Sequence, residues 1–174
     1  DTKIIDLNNP VIFDDGSLKI TAFEVEHLPV YPSLGFRFDY KGRSIVISGD
    51  TDYSTNLIEQ SKNADLLFHD ALSYNMIGRA EDISEIIQPQ LSRVFYDIQG
   101  YHASPVEAAQ AANEANVKEL LVYHLIPAPD SFIAKIIFVK GVSEVRPDNW
   151  TLADDGTIAI LPVNSEDITI TNIE

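Results

Sequence analysis

Four short apolar runs in this 174-residue chain each end on a side chain able to bind a metal ion. Three end in histidine: Phe23-Glu24-Val25-Glu26-His27, Leu66-Leu67-Phe68-His69 and Leu121-Val122-Tyr123-His124. The fourth, Ile45-Val46-Ile47-Ser48-Gly49-Asp50, ends in an acid. Apolar runs of this length, bounded by turn residues, read as buried strands. Strand ends along one edge of a sheet are where α/β folds place ligands, because the sheet holds side chains rigidly at an open rim. Taken singly, a histidine at a strand end is more often a capped structural residue, and Asp50 reads equally well as a turn acid or helix N-cap. His102, the remaining histidine, could simply be a loop residue before a helix. The four runs together point to a site.

The elements between them follow from turn and cap signals. Val11-Ile12-Phe13 and Leu18 to Glu26 form a hairpin across Asp14-Asp15-Gly16. In its second strand Phe23 and Val25 share one face and Ile20 and Ala22 the other, which predicts burial on both sides. A second hairpin joins 35–40 to 44–48 across Lys41-Gly42. A helix over about 54–62 leads to a buried strand at 65–68. Ile83, Ile86 and Ile87 have helical spacing and Pro89 should stop that helix; the rest of 73–100 is the least legible stretch. Ser104-Pro105-Val106-Glu107 predicts a helix start, with Ser as N-cap, Pro at N1 and Glu closing a capping box. A strand at 120–123, a helix over 131–139, and strands at 150–152 and 157–161 around Asp154-Asp155-Gly156 complete the chain. Strands alternating with helices after a hairpin opening predict a mixed sheet in an α/β layered fold.

Composition narrows the chemistry. There is no cysteine, so thiolate metal sites, disulfides and a cysteine nucleophile are excluded, and any metal must be held by histidine and carboxylate. The 27 acidic against 12 basic residues give a net charge of −15, a poor surface for phosphate backbones, and nucleic acid is not expected as a partner. No run reaches the roughly 18 apolar residues of a membrane span, and no membrane partner is expected. The composition fits cytoplasm, periplasm or secretion alike.

The residues also carry a resemblance. Glu26-His27, then Gly42-Arg43-Ser44-Ile45-Val46-Ile47-Ser48-Gly49-Asp50-Thr51, then Asp65 to Ala71, Tyr101-His102-Ala103-Ser104-Pro105 and Val117 to Pro127 look, in that order, like the later half of the metallo-β-lactamase superfamily. The branch they resemble is that of ribonuclease Z and the related arylsulfatases and phosphodiesterases. The resemblance implies the second half of an αββα sandwich, a mixed sheet with helices on its outer face. It implies that His27 binds one zinc, His124 a second, and that Asp50 bridges both. It further implies that His102 acts on the scissile group and protonates the leaving oxygen, oriented by an acid, here Asp70. In this sequence Asp70 stands for the family's glutamate, one methylene longer, and Leu72 for its threonine. His69 would orient the loop.

The superfamily's His-x-His-x-Asp-His cluster, which supplies most of the metal donors, does not occur in the sequence. Residues 1–174 are therefore expected to be a single partial domain, its sheet covered by a missing N-terminal half or a second chain, with a homo-oligomer expected. Zinc occupancy in this chain alone is expected to be partial or nil, and the chain alone inactive. The expected activity of the parent protein is hydrolysis of a small ester (aryl sulfate, phosphodiester or lactone). The alternatives are a ribonuclease Z-type tRNA 3′ endonuclease and an inactive half-domain that binds a partner.

Overall fold

The order of strands along the sheet is the order of strands along the chain. In the computed structural model, which describes residues 4–173, one seven-stranded sheet runs β1 (Val11–Asp14), β2 (Leu18–Val25), β3 (Ser33–Tyr40), β4 (Arg43–Ile47), β5 (Leu66–Leu72), β6 (Glu119–Ile126) and β7 (Trp150–Leu152). The first four are antiparallel, with tight turns between β1 and β2 and between β3 and β4 and a longer loop, 26–32, between β2 and β3, while β4 to β7 are parallel. The Asp15 carboxylate closes the first turn by accepting from the amides of Ser17 and Leu18 at 2.8 and 2.9 Å. Lys41 and Gly42 both take positive φ, which suits a two-residue hairpin.

Parallel neighbours need crossovers, and helices supply them. α1 (Thr55–Gln60) links β4 to β5; α2 (Tyr74–Ile87), α3 (Pro89–Ile98) and α4 (Pro105–Glu114) lie between β5 and β6; α5 (Phe132–Phe138) and α6 (Val142–Val145) precede β7. The predicted capping box at Ser104 and Glu107 is present. Pro89 does end α2, but it then serves as the first residue of α3, where its missing amide costs nothing. The last two predicted strands do lie on either side of the Asp154-Asp155-Gly156 turn, but they belong to different sheets. β7 pairs with β6, whereas β8 (Thr157–Ile160) forms a separate two-stranded sheet with β9 (Thr169–Asn172), which was not foreseen. A local turn closed by Thr157, whose hydroxyl accepts from the Asp154 amide at 2.9 Å, redirects the chain between them.

The core lies between one sheet face and the helices. Phe23, Val25, Val46, Leu67, Leu120 and Val122 pack against Leu57 of α1 and the alanines of α4, whose small side chains let that helix lie close. Ala22, Phe23 and Val25 are all buried, so β2 is covered on both faces at its C-terminal end as expected. On the other face Phe36, Phe38, Ile45, Ile47 and Phe68 remain half-exposed. Among the described residues no helix is long and apolar enough to cross a membrane.

The end of the sheet away from the metal-capable residues is tied by Asp65, which is 4% exposed. Its carboxylate accepts from the Ser44 amide at 2.7 Å and pairs with Lys118 at 2.9 Å and with the Arg43 guanidinium at 3.5 Å. Arg43 in turn donates to the carbonyls of Ser165 and Asp167. Burial alone would raise the Asp65 pKa, but its bonds to Lys118 and Ser44 and the charge of Arg43 outweigh burial and hold it below the ordinary carboxylate value. A lowered native pKa stabilises the fold at neutral pH, and that contribution is lost as pH falls through the native value, below about pH 4. Asp65→Ala leaves Arg43 buried without its acid and is expected to cost about 3 kcal/mol, read as a lower urea midpoint at pH 7. The difference from the parent should shrink below about pH 4; equal midpoints at pH 7 would contradict this role.

Candidate metal centre

Each site residue is placed by backbone geometry at the C-terminal rim of the parallel strands. His27 lies two residues past β2, and Asp50 three past β4. Between β4 and Asp50, Gly49 takes φ +66°, and a Cβ there would collide with the Leu34 carbonyl, so only glycine lets the chain turn Asp50 into place. His69 and Asp70 sit within β5, which runs on to Leu72 rather than ending at Phe68. His124 sits within β6 at a bulge: Asp70 pairs with Tyr123 and Ala71 with Leu125, leaving His124 as the extra residue with φ +44°. Bulges of this kind re-aim a side chain, and a left-handed non-glycine residue has a conformational cost that surrounding structure must hold.

These placements bring the predicted residues together. Ligand atoms of His27, Asp50 and His102 lie within 4.8 Å of one another. His124 Nε2 is 3.6 Å from Asp50 Oδ1, and its ring centroid is 6.3 Å from that of His102. His27 is 8% exposed, yet neither of its ring nitrogens has a hydrogen-bond partner. Leaving a buried imidazole unpaired costs about 1–3 kcal/mol, and a cation drawn to the neighbouring carboxylate would repay it. Neutral imidazole and carboxylate are also the donors zinc takes when sulfur is absent. The residues present therefore fit a zinc ion.

Asp70 reaches His102 in spite of its shorter side chain: His102 Nδ1 and Asp70 Oδ2 are 2.8 Å apart. Asp70 is fully buried. Burial would push its carboxyl pKa up, but hydrogen bonds and charge from His102 and His69 outweigh that and lower it. It is thus an acceptor, and His102 Nδ1 donates, which leaves Nε2 as the free ring atom. The backbone of His102 is anchored as well, its carbonyl accepting from the Tyr74 hydroxyl at 2.9 Å. The Tyr101 ring packs against His27 at a tilt of 53°, with centroids 5.0 Å apart. Sequence reasoning missed Tyr74 and Tyr101, and it separated His102 from the group it joins. For Tyr101, adjacency to His102 was the only available signal; for Tyr74, 28 residues upstream, there was none.

A mixed α/β sheet with histidines and a carboxylate gathered at one rim, and a buried acid behind one histidine, defines a metal-binding domain of the metallo-β-lactamase fold. The chain belongs to the family described as the beta-lactamase superfamily domain, whose sequence profile matches residues 1–125. Its relatives put it in the ribonuclease Z branch. It is 34% identical over 117 residues to ribonuclease Z of Mycobacterium avium, covering 67% of this chain and 38% of that protein. Against ribonuclease Z of Mycobacterium marinum it is 30% identical over 126 residues, covering 72% of this chain and 42% of that protein. The chain thus spans well under half the length of these relatives. Among solved structures, the metallo-β-lactamase fold protein YhfI of Bacillus subtilis matches with a TM-score of 0.56 at 23% identity, over 81% of this chain and 49% of that one. The short form of human tRNase Z matches with a TM-score of 0.50 at 26% identity, over 70% and 41%.

Proposed function

We propose that this chain forms one side of the active centre of a zinc-dependent phosphodiester hydrolase of the ribonuclease Z type. The observation that carries the reading is the convergence of His27, Asp50 and His102 on one point, with His124 beside Asp50. In it His27, His124 and Asp50 would hold zinc. Zinc, when bound, polarises a phosphoryl oxygen and supplies an activated water at neutral pH. His102 has Nε2 free and is the group placed to hand a proton to a departing oxygen, while Asp70 at Nδ1 fixes the ring. The three donors of this chain, shared between two ions, fall short of the four-coordinate preference of zinc, so further donors from outside these residues belong to the reading.

RNA is favoured as the substrate because the relatives at 30–34% identity are ribonucleases Z. The charge of −15 supports a second reading, a small ester such as an aryl sulfate, phosphodiester or lactone. So does the path from His27 to Asp50, which passes through one hairpin with a two-residue turn and holds no extended arm. Cleavage of a precursor tRNA and of a chromogenic phosphodiester, measured on the longest form of the protein, separates the two. Faster precursor cleavage is expected; activity on the small ester alone would establish the second reading, and activity on neither would remove both.

A further inference from the structure

His69 is the most enclosed histidine of the chain, fully buried inside β5, and no role at a metal or substrate falls to it. Its Nδ1 lies 2.7 Å from the backbone carbonyl oxygen of Asp70 and 3.3 Å from Asp70 Oδ1. A carbonyl only accepts, so Nδ1 carries a proton. Nε2 is buried without a partner. An aliphatic side chain in this strand would avoid the cost of an unpaired buried polar atom. The imidazole therefore costs stability at this position, and what it provides is a donor directed at Asp70.

Asp70 has two oxygens with separate neighbours. Oδ2 faces His102 Nδ1, while Oδ1 is met by His69 Nδ1 and, at 3.4 Å, by the Ser48 hydroxyl. The Ser48 hydroxyl also accepts from the Asp70 amide at 3.2 Å and donates to the Gly49 carbonyl at 2.6 Å. Its proton is thus engaged elsewhere, and the Nδ1 proton of His69, shared between the Asp70 carbonyl at 2.7 Å and Oδ1 at 3.3 Å, ties the carboxylate to its own backbone. A carboxylate gripped at one oxygen only can rotate about its terminal torsion, which is broad and two-fold. Gripped at both, it presents Oδ2 to His102 in one orientation.

We infer that His69 is a positioning residue: by donating to Asp70 it locks the carboxylate plane and so sets the tautomer and direction of the His102 ring. The three side chains form a buried relay, His69 to Asp70 to His102, that ends at the open site. The consequence for turnover rests on the proposed role of His102, whereas the consequence for the ring itself does not.

The test is 15N and 1H NMR of the histidine rings in the chain as it stands, with zinc omitted, comparing the parent with His69→Leu and His69→Asn. The Asn amide nitrogen occupies the place of His Nδ1 and retains a donor. In the parent, His102 is expected to be a single Nδ1–H tautomer with a downfield ring proton. In His69→Leu that resonance should move upfield and broaden while β5 amide shifts stay native, and His69→Asn should restore it. An unchanged His102 signal in a folded His69→Leu, or equal loss in both variants, would overturn the inference. If His69→Leu fails to fold, the Asn variant decides: retained tautomer supports the relay and a mixed population refutes it. In the active longest form, kcat should fall roughly tenfold to a hundredfold in His69→Leu with KM unchanged. A displaced His102 resonance without that fall would leave the relay standing and refute the proton-delivery role of His102.

Discussion

His27→Ala, Asp50→Ala and His124→Ala should each remove zinc from the longest form of the protein and abolish hydrolysis. His27 is held at the end of β2 with both ring nitrogens unpaired, so its native environment supplies no substitute for a cation. Asp50 is grouped with His27 and His102 and also lies 3.6 Å from His124, so its loss removes the carboxylate shared by these imidazoles. Residues that merely support metal ligands cost about 10–100-fold in affinity when changed, and a direct donor should exceed that. Zinc content after dialysis, with competition against a chelator, gives the number directly. The fold should survive, since His124 and Asp50 are close to half-exposed and none of the three belongs to the core. Undiminished zinc in Asp50→Ala would remove the proposed centre altogether.

His102→Ala is expected to behave differently, keeping the metal while slowing turnover by about 10²–10⁴-fold, the range for a lost general acid. The geometry makes this a demanding expectation, because His102 is as near to His27 and Asp50 as any donor in the group. What separates it is its partner: Nδ1 is bound to a buried, ionised Asp70, which leaves Nε2 as the free ring nitrogen. A carboxylate behind a histidine also suits a metal ligand, so zinc content decides between the roles. Zinc lost from His102→Ala as fully as from His27→Ala would make His102 a ligand. Asp70→Asn provides a companion measurement. An amide oriented to donate at that position would favour the other His102 tautomer, so turnover should fall with zinc retained.

The parts of this molecule readable from sequence are those written locally. The Ser104-Pro105-Glu107 start of α4, the turn at Asp14-Asp15-Gly16 and the alternation in β2 each depend on residues a few positions apart. The four metal-capable residues were marked by the ends of apolar runs, although only His27 and Asp50 lie past the ends of their strands, while His69 and His124 lie within theirs. The reach of β5 to Leu72 was hidden, since His69 and Asp70 are polar and nothing local shows that they are buried. Helix α3 was hidden because Pro89, a stop signal for the helix before it, is equally a start for the next. The bulge at His124 cannot be seen in one strand, being a relation between β6 and β5. The grouping of His102 with His27 is of the same kind: it is accompanied by the Tyr74 hydroxyl bond and the tilted packing of Tyr101 on His27, contacts between residues 28 and 74 positions apart.

The unbroken correspondence between strand order and chain order gives the molecule a direction of assembly. Strands β1 to β4 need only two-residue or short connections to zip together, so this meander can form early and quickly. Joining β5 to β6 instead closes the longest connection in the sheet, from Leu72 to Glu119, and that closure carries the larger entropic cost. His27 and Asp50 lie on the near side of this step and His124 on the far side, with His102 inside the connection itself. The rim that carries these four residues is therefore completed only after that closure. A ribosome-bound intermediate ending before residue 119 would hold a formed hairpin sheet and two of its prospective zinc donors while still unable to complete the cluster.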